Sequence, residues 1–232
     1  MGATTPATPS ATPSATGQHA GRGLFIVFEG GDGAGKSTQV RELAGWLAER
    51  GIDHLVTREP GGSPVGQKVR EILLDPATGH LAPRAEALLY IADKAHHVDQ
   101  VIRPALDRGT VVVCDRYTDS LLAYQGAGRA LAVDEVDTIS RWGTENLRPH
   151  LTVLLDVDPA AAVHTKTEQD RLESAGEDFH ARVREGFLRL AEADPDHYLV
   201  LPARDPRERL AREVRGRVAD LLGITVVGTQ PH

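Results

Sequence analysis

Cysteine is almost absent from this chain. Cys114 is the only one in 232 residues, so no internal disulfide can form. It sits in the apolar run Val111-Val112-Val113-Cys114, where a free thiol behaves as a small core residue. Long hydrophobic runs are missing as well: nothing approaches the roughly 20 apolar residues of a membrane-spanning helix. The first residues have no charged start and no apolar stretch, so they do not read as a secretory signal, and the expectation is a cytoplasmic protein with no membrane partner. Positive charge is not in excess. Lys and Arg number 26 against 33 Asp and Glu, a formal net charge of −7, which argues against nucleic acid as the main partner. The 10 histidines do not cluster with cysteines or carboxylates at zinc spacing, and His96 and His97 beside Lys94 read as the polar face of a helix.

What is present is an ordinary globular composition, 41% hydrophobic and 25% charged, at a length that suits one domain with or without a tail. Residues 1–22 contain Ala, Thr, Pro, Ser and Gly but no large aliphatic residue after Met1, too little apolar surface to offset the entropy of ordering. The expected organisation is a disordered tail over 1–22, a domain over 23–225 and a short C-terminal tail over 226–232. Within the domain, short apolar runs alternate with helical patterns. GLFIVFEG, IDHLVT, TVVVCD, LTVLLDV and YLVLPA read as strands. TQVRELAGWLAERG, VGQKVREILL, PRAEALLYIADKAHHVDQVIRPALDRG, DEVDTISRWGTENL, FHARVREGFLRLAEA and PRERLAREVRGRVADLL read as helices. Such alternation implies an α/β fold with parallel strands, apolar throughout and covered on both faces. Ligands then bind beyond the carboxyl ends of the strands.

Three unusual segments lie at those ends. The first is EGGDGAGKST, in which Gly30, Gly31, Asp32, Gly33, Ala34, Gly35, Lys36 and Ser37 fit G-x-x-x-x-G-K-[ST], followed by Thr38. Glycines let successive N–H groups face an anion, and the helix that follows adds its positive end. Lys36 reaches the β and γ phosphates and Ser37 offers a hydroxyl to Mg²⁺. The segment follows a strand and opens a helix, the context that this chemistry needs. It implies ATP, the one metal expected being the Mg²⁺ that travels with it. The loop does not name the acceptor, since GTPases, motors and small-molecule kinases share it.

The second segment is TREPGG. Arg58 can grip an anion with two parallel hydrogen bonds, and Glu59 can order a sugar hydroxyl or a metal-bound water. Nearby Arg70 is either a second phosphate ligand or a solvated helix face. The third is CDRYTDSLLAYQGAGR, read as a loop. Asp115 can organise the metal shell with Ser37, Arg116 can bridge donor and acceptor phosphates, and Tyr124, Gln125 and Arg129 suit a planar base.

EGGDGAGKST, TREPGG, DRYTDS and AYQGAGR, in this order, resemble the thymidylate kinase family, and the resemblance runs from about Gly23 to the last helix. It implies a P-loop kinase fold with a five-stranded parallel sheet and a small lid over about 160–176, transfer of the ATP γ-phosphate to dTMP, and a homodimer. By the same resemblance, Asp32 lies near the reacting phosphates with Lys36, Arg116 and the lid residue Arg171 as catalytic groups. Arg58, Arg70 and Arg116 bind the acceptor phosphate, and Glu59 orders sugar and solvent. Tyr90 stacks on the base, Gln125 reads its edge and Tyr124 lies beneath the sugar. Asp170, Arg171 and Glu173 match the family's D-R-x-E lid motif.

The sequence departs from that pattern in three places. Lys94 and Leu121 fall at base-side positions of the substrate site by the same resemblance, but Lys94 stands where an arginine contacting the thymine carbonyl is typical, Leu121 stands where a Ser or Thr near the base is usual, and the lid offers only His164, Lys166 and Arg171 as basic residues. Two alternatives therefore accompany the main reading: a kinase for another pyrimidine monophosphate, and a nucleotide-binding protein that does not catalyse.

Overall fold

A computed structural model describes residues 23–128, 131–159 and 176–225. The two expected tails, Arg129 and all of the expected lid except Gly176 lie outside the described residues.

The five apolar runs form β1 (Phe25–Gly30), β2 (His54–Arg58), β3 (Val111–Asp115), β4 (Leu151–Asp156) and β5 (Tyr198–Pro202). They lie in the order β2-β3-β1-β4-β5, every neighbouring pair parallel. The helices are α1 (Lys36–Glu49), α2 (Pro64–Leu74), α3 (Pro83–His97), α4 (Arg103–Asp107), α5 (Thr118–Leu121), α6 (Val133–Gly143), α7 (Glu177–Ala193) and α8 (Arg207–Leu222). The architecture is the expected five-stranded parallel sheet flanked by helices.

The middle strand explains why its sequence is apolar without alternation. Ile26 and Phe28 pack into one core with Leu43 and Leu47 of α1 and Val214 and Val218 of α8. Phe25 and Val27 point the other way, against Ile102, Ala105 and Leu106. Both faces of β1 are thus buried, and a strand with two buried faces needs no polar side. A third cluster joins Tyr90, Leu121, Tyr124, Phe179 and Phe187, so the helices beyond the sheet have a core of their own.

Strand register decides what stands at the working end. Phe28 of β1 pairs with Asp115 of β3, which in turn pairs with Arg58 of β2. Three residues far apart in sequence therefore end side by side, next to the loop that leaves β1. That loop starts at Gly30, whose φ is 133°. A Cβ there would lie 2.3 Å from the Leu155 carbonyl oxygen, so only glycine lets the chain leave the sheet at this point.

Four expectations need correction. β2 is not apolar throughout: it is an edge strand, and its Val56 is 46% exposed. The long helix expected over 83–109 is interrupted by a π-helical turn, Val98–Ile102, just before α4. Pro104 has no N–H to give and its ring crowds the carbonyl of Gln100, so the backbone widens there. The helix expected through Leu147 ends at Gly143, and Glu145 and Asn146 take left-handed backbone, with φ of 50° and 56°. The segment after DRY, read as a loop, is α5 followed by a π-helical stretch, Leu122–Gly128. Its glycines masked the helical pattern, yet Leu121, Leu122, Ala123 and Tyr124 are all buried, in the cluster containing Phe179 and Phe187 of α7.

Candidate active site

The phosphate loop is closed by its own lysine. Gly35 caps α1 with left-handed backbone (φ 90°), and Lys36, the first helical residue, sends its Nζ back to the carbonyls of Gly30 at 2.9 Å and Gly31 at 2.8 Å. Burial and the neighbouring Arg116 push the Lys36 ammonium down to about 8, against the pull of Asp32 and Asp115. Ala34 is buried in the core beneath the loop, so only its backbone can face a ligand. Ser37 is exposed, and its Oγ donates to Asp115 Oδ2 at 2.8 Å. Two side-chain oxygens from different elements thus meet at the mouth of the loop. Among the described residues no group of three or more His, Cys, Asp or Glu could hold a metal. A small hard cation held by one or two protein oxygens plus phosphate and water fits that donor set.

Arg116 joins the pieces. It has left-handed backbone (φ 68°), which turns the chain sharply after β3 and swings the guanidinium back over the loop. Nη1 donates to Gly30 O at 3.1 Å and to Ser120 Oγ at 3.0 Å. Nη2 donates to Asp32 Oδ1 at 2.6 Å, with Tyr124 OH at 3.4 Å. The Tyr124 hydroxyl donates to the other Asp32 oxygen at 3.0 Å, and the guanidinium lies 5.1 Å from the centre of its ring. Burial alone would raise the Asp32 carboxyl, but Arg116, Lys36 and Tyr124 outweigh it and hold it at about 2. Asp32, Arg116 and Tyr124 form one hydrogen-bonded constellation, and Lys36 joins it through the Gly30 carbonyl.

On the TREPGG side the expected residues part company. Arg58 is exposed at the strand end and open to a ligand. Glu59 is buried, with Oε2 taking Lys94 Nζ at 2.5 Å and Oε1 lying 2.8 Å from His97 Nδ1. Burial favours the protonated carboxyl, yet Lys94 and His97 together bring Glu59 below the ordinary carboxylate range. The far side of His97 meets Thr57 Oγ1 at 2.7 Å. Both Glu59 oxygens are spent inside the protein, where an order-setting role toward sugar was expected. Lys94 is likewise turned to Glu59 and buried, where a contact to a base was expected. Arg70 donates to Pro60 O at 2.9 Å, and Gly61 N donates to Asp93 Oδ1 at 3.1 Å. The turn is gripped from α2 and α3 at once.

Gln125 donates to Glu86 Oε1 at 3.1 Å, and Glu86 lies one helical turn before Tyr90 on α3, so the two share a face. Tyr90, Leu121 and Tyr124 belong to one buried cluster beside them. Sequence reading missed Glu86, whose signal was its spacing of four from Tyr90, and also His97, Asp93, Glu29 and Ser120. The lid residue Arg171 lies outside the described residues.

The family model described as thymidylate kinase matches residues 28–214. A thymidylate kinase of Cutibacterium acnes is 58% identical over 200 residues, covering 86% of this chain and 98% of that protein. One from Clavibacter michiganensis subsp. michiganensis is 56% identical over 204 residues, covering 86% and 96%. Among solved structures, a thymidylate kinase from Ehrlichia chaffeensis superposes with a TM-score of 0.71 at 31% identity, covering 85% of this chain and 98% of that one.

Proposed function

The chain belongs to the thymidylate kinase family, and we infer that its site moves the γ-phosphate of ATP onto dTMP, giving dTDP. The observation that supports this best is the position of Arg116, one cation bonded at once to the phosphate loop through Gly30, to Asp32 and to Tyr124. A group so placed touches the donor phosphates from one side and the acceptor phosphate from the other. The acceptor is already an anionic oxygen, so no base is needed, and catalysis rests on alignment and charge neutralisation. The backbone from Gly30 to Thr38 cradles ATP, with Lys36 on its terminal phosphates. Arg58, Arg70 and Arg116 receive the acceptor phosphate. Tyr90 stacks on the base, Gln125, oriented by Glu86, reads its edge, Leu121 lines the same cluster and Tyr124 supports the sugar. Glu59 and Lys94 act one layer back, by fixing the turn that carries Arg58. Mg²⁺, held by Ser37 and in part through water by Asp115, would neutralise phosphate charge during transfer. Arg171 of the lid completes the set.

The tails flank a single catalytic domain in this reading, and the enzyme works in the cytoplasm; no helix among the described residues is long and apolar enough to cross a membrane. Val65 and Ile72 on α2, Leu88 on α3, and Ile139 and Trp142 on α6 are exposed, Trp142 by 80%. α3 packs against both α2 and α6, and exposed apolar side chains on all three helices suit a homodimer.

The test is ADP release with ATP, Mg²⁺ and a panel of dTMP, dUMP, dCMP, UMP and 5-substituted dUMPs. Turnover is expected only with acceptor and fastest with dTMP. Strong turnover of another pyrimidine beside weak dTMP would favour the second reading, which Lys94 and Leu121 motivate. ADP release without any acceptor would sink both. Lys36 offers a separate check. Its ammonium sits at about 8 in the free protein, and bound phosphates raise it again. Above pH 8 binding must therefore take up a proton, and ATP affinity is expected to fall by about tenfold per pH unit. Calorimetry in buffers of different ionisation enthalpy reads that uptake directly. An affinity that stays flat up to about pH 9.5 would mean that Lys36 is already fully charged before ATP binds.

A further inference from the structure

Glu29 is a buried carboxylate that phosphate transfer, as described so far, does not use. It precedes the phosphate loop on β1, and its side chain collects the start of α5. Oε1 accepts from Tyr117 N at 2.8 Å and Ser120 N at 3.1 Å, and Oε2 accepts from Ser120 Oγ at 2.5 Å. The same Ser120 Oγ accepts from Arg116 Nη1 at 3.0 Å. The backbone of Arg116 is held by the neighbouring residue of β1, its N–H donating to Phe28 O at 2.9 Å. Two consecutive β1 residues thus bracket a turn whose central residue has left-handed backbone, a conformation that persists only when its surroundings impose it.

We propose that Glu29 is the positioning residue for Arg116, acting through Ser120; the proposal rests on the reading that Arg116 serves phosphate transfer. The Glu29–Ser120–Arg116 link is directional. A serine hydroxyl has one proton and two lone pairs. An ionised carboxylate only accepts, so Glu29 fixes the Ser120 proton toward itself and leaves a lone pair facing the guanidinium. An amide in its place would offer N–H to Ser120 Oγ. The hydroxyl would then accept from that amide, its own proton would lose its acceptor, and the rotor that turns a lone pair toward Nη1 would no longer be fixed. The Coulomb attraction between Glu29 and Arg116 acts in the same sense, although burial, the larger effect, raises the Glu29 carboxyl. Holding a reacting group to a fraction of an ångström is worth more to turnover than to binding.

The experiment compares the wild type with Glu29→Gln, Ser120→Ala, Ser120→Thr and the double variant Glu29→Gln/Ser120→Ala, using the full chain with ATP, Mg²⁺ and dTMP. Glu29→Gln and Ser120→Ala are each expected to lower kcat about 10- to 100-fold while the KM for ATP stays within about twofold. Ser120→Thr restores the hydroxyl and most of the turnover. The double variant loses no more than Glu29→Gln alone, because both changes cut one link. If Glu29→Gln folds poorly, the Ser120→Ala and Ser120→Thr pair decides alone. A Ser120→Ala kcat within about twofold of wild type overturns the inference, as do losses that add in the double variant. A wild type that does not phosphorylate dTMP fails differently: it removes the reading of the site itself and this role with it.

Discussion

Replacing Arg116 with alanine is expected to lower kcat for dTMP about 10³-fold or more, with ATP affinity reduced far less. The guanidinium serves four neighbours at once: Gly30 O, Ser120 Oγ, Asp32 and Tyr124. ATP keeps the backbone cradle and Lys36 without it, so ground-state binding survives. What disappears is the charge placed where donor and acceptor phosphates meet, together with the partner that keeps Asp32 ionised and fixed. Burial favours protonation of Asp32, and Arg116 heads the groups that oppose it, so in the variant the carboxyl moves up from about 2. Lysine is not expected to restore the rate. An ammonium is a point charge and cannot reproduce a planar fork that reaches Gly30 and Ser120 with one nitrogen and Asp32 with the other. Single-turnover kinetics and an equilibrium ATP titration separate the two effects. A variant that keeps kcat within about tenfold of wild type would show that Arg116 organises the free site without touching the transferred phosphate.

How far this site could be foreseen depends on the range over which each feature is encoded. The phosphate loop is local: glycines, a lysine and a hydroxyl within ten residues carry their own geometry. The inner strands β3, β1 and β4 were legible because a strand covered on both faces needs an uninterrupted apolar run. Register was not legible. Nothing in the residues says that Phe28, Asp115 and Arg58 finish level, yet that alignment assembles the site. Glu29 looked like an ordinary strand residue because its partners, Tyr117 and Ser120, lie about ninety residues away in the chain. The helical nature of Leu122–Gly128 was hidden by glycines whose low propensity tertiary packing overrides. Lys94 was read as a base contact from its place in a family pattern. The fold instead spends it on a carboxylate 35 positions earlier.

That Lys94–Glu59 pair carries the second large effect, on stability. The two side chains are 2% and 1% exposed and 2.5 Å apart. Lys94→Met is expected to destabilise the protein by about 3–5 kcal/mol, because it leaves a buried charge without its partner. Adding Glu59→Gln should recover a good part of the loss, since two neutral groups cost less to bury than one unpaired ion. pH dependence distinguishes this from a simple packing defect. In the wild type burial works against both charges, but the pair outweighs it, so Glu59 lies below and Lys94 above their ordinary values of 4.5 and 10.5. Their mutual stabilisation is fully present between those two values. It is lost as pH falls through the depressed Glu59 value, and again as pH rises through the elevated Lys94 value. Without Lys94, burial dominates Glu59 and lifts its carboxyl, so the sign reverses on the acid side. Stability of the single variant should then fall as pH rises from the ordinary value of 4.5 through the raised Glu59 value, where that of the wild type is flat or rising. Urea denaturation of both proteins across about pH 4 to 8 reads this directly. Parallel pH profiles would mean that Glu59 is not held as an ion by Lys94, and that His97 and Thr57 suffice to keep the turn in place.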